Sequence, residues 1–318
     1  MTSGVLILTG QTASGKSALA LRLAERFGAE IVGADSRQIY RGMPIGTAAP
    51  SPEDLARVRH HLVGFLGSGE RYSSARFVAD ALAAIDDIQR RAKRALVVGG
   101  TGFYVRALTG DVALSPVRDE ALRERVAREA RIHPPDVLAD WLRALAPERA
   151  AGIATNDRYR VTRALEIALS RRDDAAVGKE HAARAAAPRD EARAGAPHET
   201  LRTRGTAYRK VMLEVGSDEL LKRIEARTDA MLAAGLVDEA ERIGADAVAA
   251  DAVGYREALA YLRGWSTFGE LRTQLVRSTR RYAKRQATWF RTEPELQRVP
   301  DESAFEGLVA VANDLGWR

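Results

Sequence analysis

Gly10-Gln11-Thr12-Ala13-Ser14-Gly15-Lys16-Ser17 sets two glycines around four residues and follows them with Lys and Ser. That is the spacing of a P-loop, a turn that holds phosphate. The glycines let successive backbone N–H groups point at one anion, and the dipole of the following helix adds to the attraction. Lys16 supplies a compact positive charge for a terminal phosphate. The Ser17 hydroxyl is a candidate ligand for Mg²⁺.

A carboxylate and a hydroxyl accompany the loop. Asp35 follows the apolar run Glu30–Val32, and Thr101 follows Gly99-Gly100 at the end of Ala95–Val98. Ligands of open parallel sheets gather at the carboxyl ends of the strands, so Asp35 and Thr101 are expected in one crevice with the P-loop. Each residue type also serves as a helix N-cap, and both roles stay open for each. In the crevice, Asp35 could hold Mg²⁺ through water or accept a proton from a nucleophile. Such a set suits attack on phosphorus, or on a carbon that bears a diphosphate. His60 and His61 are adjacent and lie near no cysteine or carboxylate at ligand spacing, so they read as structural.

These groups need a scaffold. Val5–Leu8, Glu30–Val32, Ala95–Val98 and Val211–Val215 read as buried strands. Helices are predicted over Lys16–Phe27 and Asp80–Lys93. The alternation implies an α/β fold, a parallel sheet with helices on both faces. From 113 to 204 the strand pattern stops. Asp119–Ile132, Asp136–Leu145 and Tyr159–Arg171 read as helices of an inserted all-helical domain. The stretch 172–204 has almost no large apolar residues and reads as weakly packed or mobile. The core domain is then 1–112 with 205–318.

The 318 residues are 46% hydrophobic, ample for such a core. No stretch approaches the ~18 apolar residues of a membrane span, and a cytoplasmic protein is expected. Without cysteine there is no disulfide or thiolate metal site. Lys and Arg total 49 against 43 acidic residues, a net +6 that permits a nucleic-acid partner. The placement of that charge says more. Between Arg272 and Arg291 there are seven basic residues and no acidic one. On a helix, Arg277, Arg280, Arg281, Lys284 and Arg291 fall mostly opposite the stripe Leu271, Leu275, Tyr282 and Trp289. A face of one sign suits phosphodiesters. Tyr159-Arg160-Val161-Thr162-Arg163 and Gly254-Tyr255-Arg256 add arginines and aromatics able to stack on a displaced base.

Together these segments resemble the tRNA dimethylallyltransferases. The P-loop is similar to theirs, with Gln11 where proline is usual. DSRQIYRGMPIGTAAPS (Asp35–Ser51), HHLVG (His60–Gly64), YSSARF (Tyr72–Phe77) and GGTGFYVRAL (Gly99–Leu108) resemble family segments. So do NDRYRVTRALE (Asn156–Glu166), AVGYREALAYLRG (Ala252–Gly264) and TRRYAKRQATWFR (Thr279–Arg291). The likeness runs in order along nearly the whole chain. It weakens at Ile153-Ala154-Thr155, where the family often has His-Pro, and over 172–204.

The resemblance implies a P-loop NTPase-like core that binds dimethylallyl diphosphate rather than ATP, with Mg²⁺. The dimethylallyl group would pass to N6 of the adenosine 3′ of the anticodon, flipped out of its stack. Asp35 would orient the amine or take its proton. Thr101 would position the amine or a diphosphate oxygen, and Arg123 would lie near the reaction centre. One of Arg223 and Arg227 would join residues 10–17 in holding diphosphate. Asp35, Ser36, Arg37, Gln38, Arg281, Lys284, Arg285, Gln286 and Arg291 would meet the tRNA. A monomer is expected. Without the resemblance, a small-molecule kinase shares the P-loop and an Asp after the second strand. It explains neither the large helical insertion nor the one-sign helix. A nucleotide-dependent RNA-binding regulator would keep the loop but has no need of Asp35 and Thr101 facing it.

Overall fold

A computed structural model of the chain describes residues 3–112, 114, 120–181 and 198–318. The backbone forms two units, Met1–Ala113 joined by His198–Arg318, and Leu114–Pro197. In chain order the first unit opens with β1 (Val5–Gly10), α1 (Lys16–Phe27), β2 (Ala29–Gly33), α2 (Pro44–Thr47) and α3 (Pro52–Arg57). It continues with β3 (His60–His61), α4 (Ser74–Arg90), β4 (Arg94–Gly99) and α5 (Gly102–Thr109). The second unit holds α6 (Glu120–Ile132), α7 (Pro135–Leu145), α8 (Pro147–Ala150) and α9 (Arg158–His181). The chain then returns through β5 (Tyr208–Glu214), α10 (Ser217–Ala233), α11 (Leu236–Ile243), α12 (Tyr255–Leu262) and α13 (Phe268–Arg291). β6 (Leu296–Pro300) and α14 (Ala304–Asp314) close it.

The six strands form one parallel sheet in the order β3-β2-β4-β1-β5-β6. β1 and β2 are buried along their whole length, as parallel strands covered on both faces must be. Leu21, Leu23 and Phe27 of α1 share a core with Val311 and Ala312 of α14 and with Trp317. Trp317 meets Phe27 edge to face and donates its indole N–H to the Gly4 carbonyl, tying the chain end to the sheet.

Two strands escape the sequence reading. β3 has only the two residues His60 and His61, and β6 lies at the sheet edge with only Val299 buried, so neither carries a continuous apolar run. His61 is structural here: its Nε2 lies 2.8 Å from the buried Glu30 carboxylate. The expectation of a weakly packed 172–204 fails at its end. Leu201 is fully buried, and its N–H donates to the Leu108 carbonyl. Residues 198–204 therefore belong to the first unit; the rest of that stretch lies largely outside the described residues.

Both strands of chain that lead to the insertion are fixed at one cluster. Lys210 of β5 is buried and donates to Asp111 Oδ2 and Glu293 Oε1, each at 2.8 Å. Arg202 donates to Asp111 Oδ1 at 2.7 Å, and Arg106 donates to Glu293 Oε2 at 2.8 Å. Paired in this way, the buried ammonium keeps hydrogen-bond partners that offset its desolvation. In the second unit, Leu122, Val126, Leu138, Leu142, Val161 and Leu165 bring α6, α7 and α9 around one core.

β4 passes the start of the Asp35 loop so closely that a Cβ at Gly99 would fall on the Ala34 carbonyl. Backbone cannot yield as a side-chain tip can. Gly99→Ala is therefore expected to cost about 3 kcal/mol in denaturant unfolding, near the upper end for overpacking. Gly69→Ala, with open space around it, serves as the neutral control.

Candidate active site

The P-loop is built between the buried end of β1 and the start of α1. The turn passes through left-handed backbone at Ala13 (φ 63°) and Gly15 (φ 90°), and Lys16 reaches back to donate to the Gln11 carbonyl at 3.3 Å. α13 holds this turn from outside. The Gln286 amide accepts from Thr12 N–H at 2.8 Å and donates to the Gly100 carbonyl at 2.9 Å. Gln11 Nε2 donates to the Ala283 carbonyl of the same helix at 3.1 Å. Gly100 makes the approach possible, because a Cβ there would meet the Gln286 amide.

Two arginines of α10 reach the loop in different ways. Arg223 donates to the Ser14 carbonyl at 3.1 Å, to Glu219 at 2.8 Å and to Asp301 at 2.5 Å. Its charge is shared with two carboxylates. Arg227 donates to Thr12 Oγ1 at 3.0 Å, and no carboxylate pairs with it among the described residues. Burial pushes the Lys16 ammonium down to about 8; the Asp35 carboxylate offsets part of this shift, and Arg227 adds to it. Ser14 Oγ is buried without a hydrogen-bond partner among the described residues. The loop therefore brings a hydroxyl, an ammonium of lowered pKa and a guanidinium to one place.

Asp35 lies opposite. Its Oδ1 accepts from Arg37 N–H at 2.9 Å and Gln38 N–H at 3.4 Å. It thus caps its own turn while facing the same cavity as Lys16. No helix starts there, so the capping reading of Asp35 is met only as the cap of a turn. Thr101 takes a different place from the one expected. Its Oγ1 accepts from Ser36 N–H at 3.0 Å and donates to Ser36 Oγ at 3.4 Å, which holds the Asp35 loop, and it is absent from the cavity lining. Gln38 also braces: its Nε2 donates to the Thr47 and Ala48 carbonyls.

The cavity has a volume of about 670 Å³. The P-loop forms one end and α10 and α13 one wall; residues 35–38, 46–48 and 251–254 form the other. A pair between Arg37 and Asp251 at 2.9 Å bridges that second wall. The arrangement can bind a di- or triphosphate at the loop and place a second reactant beside Asp35.

The IPP transferase family matches residues 38–293, and the isopentenyl transferase family matches residues 3–65. The tRNA dimethylallyltransferase of Geobacter sulfurreducens is 38% identical over 313 residues, 97% of this chain and 95% of that protein. The tRNA dimethylallyltransferase 1 of Citrifermentans bemidjiense is 42% identical over 311 residues, 96% and 94% of the two chains. The chain belongs to the tRNA dimethylallyltransferase family. Among solved structures, the full-length tRNA isopentenylpyrophosphate transferase from Bacillus halodurans is similar over 99% of this chain and 98% of its own, with a TM-score of 0.66 and 30% identity. Membership in the dimethylallyltransferase family makes the chain a prenyltransferase and removes the support for a kinase.

The residues expected to meet RNA divide sharply. Arg281, Lys284, Arg285 and Arg291 are exposed on α13, and Arg285 lies over the Tyr282 ring at 5.6 Å. Ser36 and Arg37 line the cavity, as does the backbone of Gly254. Tyr255 does not fit a stacking role. It is fully buried, and its hydroxyl donates to Glu239 at 2.6 Å and to the Met43 carbonyl at 3.1 Å. Gln286 is buried in the loop clamp, and its polarity serves the P-loop rather than RNA. In the helical unit Tyr159 and Arg160 are exposed, while Val161 packs in the core. Thr162 donates to its own helix at Arg158, and Arg163 pairs with Glu166 at 2.6 Å. Arg123 stands on α6 of that unit. The sequence reading missed the lining residues Asp251 and Met231. No motif marks the first, and the second reads as one more apolar helix position.

Lys16 sets an expected pH dependence. Its ammonium is full below about pH 8 in the free protein, and bound diphosphate oxygens raise its pKa. Binding then takes up a proton above pH 8. The diphosphate Kd should rise by up to about tenfold per pH unit above that point. Calorimetry from pH 7 to 9.5 reads this rise, and Lys16→Arg should flatten it.

Proposed function

We propose that this chain transfers the dimethylallyl group of dimethylallyl diphosphate to N6 of the adenosine 3′ of the anticodon in tRNA. The observation that supports this most is one cavity with Lys16, Arg227 and the P-loop at its phosphate end and Asp35 across from them. The C1–O bond to diphosphate breaks as the N6–C1 bond forms, and N6 gives up one proton. Loop N–H groups, Lys16 and Arg227 meet the charge that develops on the departing diphosphate, where preorganised donors lower the barrier most. Arg227 makes that contact, and Arg223 braces the loop through the Ser14 carbonyl. The unpartnered Ser14 hydroxyl supplies a further donor. Asp35, held by two backbone N–H groups, orients the amine and takes its proton. Thr101 acts by holding the Asp35 loop in place.

The lining also fits Mg²⁺. The Ser17 hydroxyl and the Asp35 carboxylate face one space, and no cluster of three His, Cys, Asp or Glu exists among the described residues. Ser17 and Asp35 would hold the ion with few protein ligands, which suits Mg²⁺. When bound, it neutralises charge on the leaving diphosphate.

The tRNA backbone lies on the basic face of α13, at Arg281, Lys284, Arg285 and Arg291. Tyr159 and Arg160, exposed on the helical unit, contact the tRNA. The protein acts as a monomer in the cytoplasm. No helix of the described residues is long and apolar enough to cross a membrane.

The deciding assay combines purified protein, Mg²⁺, unmodified tRNA and radiolabelled dimethylallyl diphosphate, with ATP in a parallel tube. Label in N6-alkylated adenosine after nuclease digestion is the expected result. ATP consumption with no labelled nucleoside overturns the reading. Asp35→Ala should lower kcat by about 10²- to 10⁴-fold, the usual contribution of a positioned base, and leave tRNA affinity nearly unchanged. Removal of both charges at Arg281 and Lys284 should weaken tRNA binding and reduce the log Kd against log salt slope by about 1.5.

A further inference from the structure

α10 and α13 line the same wall of the cavity, and the chemistry of that wall changes along its length. Near the P-loop it presents Arg227 bonded to Thr12 and Gln286 bonded to the Thr12 N–H. One turn further along α10 comes Met231, and three turns back along α13 comes Leu275. These two side chains pack into one apolar cluster with Leu271, Leu236 and Ile45. Between the two ends the wall is mixed: α13 brings Thr279, Tyr282 and Arg285 to the lining, and on α10 Thr228 donates its hydroxyl to the Ile224 carbonyl at 2.8 Å. The opposite wall differs. It is lined by Ser36, Arg37 and Gln38, polar residues of the kind that read the edge of a base.

We infer that Met231 and Leu275 close the end of the donor subsite and limit the prenyl group to a short branched chain. This rests on the transferase reading above, and it assigns the residues that set donor length. From Arg227 to Met231 is four residues, about 6 Å of helix axis. A five-carbon chain extending from a diphosphate at Arg227 ends against the Met231 and Leu275 side chains. A ten-carbon chain must displace them, and they are backed by the packed cluster rather than by solvent. Leu275 is 3% exposed and cannot swing aside. Met231 is half-buried and is the more easily trimmed of the two.

The test compares dimethylallyl and geranyl diphosphate as donors to unmodified tRNA, for the wild type, Met231→Ala, Met231→Ala with Leu275→Ala, and Met231→Phe. The wild type is expected to favour the five-carbon donor by at least about 100-fold in kcat/KM, a range that pocket shape can supply. The alanine variants should bring the two donors to within about tenfold of each other, mostly through the geranyl KM, with the tRNA KM unchanged. Met231→Phe adds volume without opening the core. It should raise the dimethylallyl KM at nearly constant kcat, which keeps the inference testable if the double variant does not fold. Variants that transfer dimethylallyl and discriminate as the wild type does would overturn the inference. So would a shift confined to the tRNA KM, which would place the base at this end. If the wild type transfers no dimethylallyl group at all, the transferase reading itself has failed, a result distinct from unchanged discrimination in active variants.

Discussion

The amide of Gln286 joins three parts of the molecule that are far apart in sequence. It accepts from the P-loop at Thr12, donates to the end of β4 at Gly100, and is carried by the helix that bears the basic face. A P-loop needs its N–H groups aimed at one point before the anion arrives. Here the aim is fixed by a neutral side chain that brings no charge into the site. Gly100 and the Asp35 loop sit on the other side of the same junction, where Ala34 accepts from the Thr101 N–H. The P-loop, the Asp35 loop and the basic helix α13 are therefore registered against one another through a few hydrogen bonds, some of them fully buried.

That registration matters because the site holds charge at a cost. Lys16 and Arg227 are both drawn out of water, and each is pushed toward its neutral form by burial. Asp35 is the counter-charge that offsets part of this cost for both. Tyr282 feels the same carboxylate, and burial together with Asp35 pushes its hydroxyl up. The free site is thus a balanced group of ions with one cation in excess, and an incoming diphosphate meets cations that are already poorly hydrated. The Asp35 carboxylate thus steadies both buried cations at the P-loop.

The sheet strands β1 and β4 were legible because buried parallel strands write themselves as apolar runs, and β2 was legible from Ile31 and Val32 despite the buried Glu30. The P-loop was legible for a similar reason: its function lies in backbone geometry that only glycines at fixed spacing allow. β3 and β6 were not, since a two-residue strand and an edge strand leave no such run. Asp35 could be found by its strand end, but its partner could not. Thr101 stands at a strand end too, and only the coordinates show that its hydroxyl is spent on Ser36. Tyr255 and Gln286 sit in segments rich in arginine, where sequence alone suggests a surface. Each is drawn inside by buried partners, Glu239 and the Met43 carbonyl in one case, the Thr12 N–H and the Gly100 carbonyl in the other. Side-chain direction on a helix depends on what the neighbouring element offers, and that information is not local.

The cluster of Asp111, Arg202, Lys210 and Glu293 fastens the two places where the chain leaves the sheet domain and comes back. With both ends held together, whatever lies between them closes as a loop anchored at its base. Lengthening such a loop costs little, since the closure penalty grows only with the logarithm of its length. In evolutionary terms the insertion point is a socket. Segments between residues 112 and 197 can be gained, lost or rewritten at small cost to the folding of the sheet, so this part of the chain is free to vary while the P-loop and the Asp35 turn stay fixed.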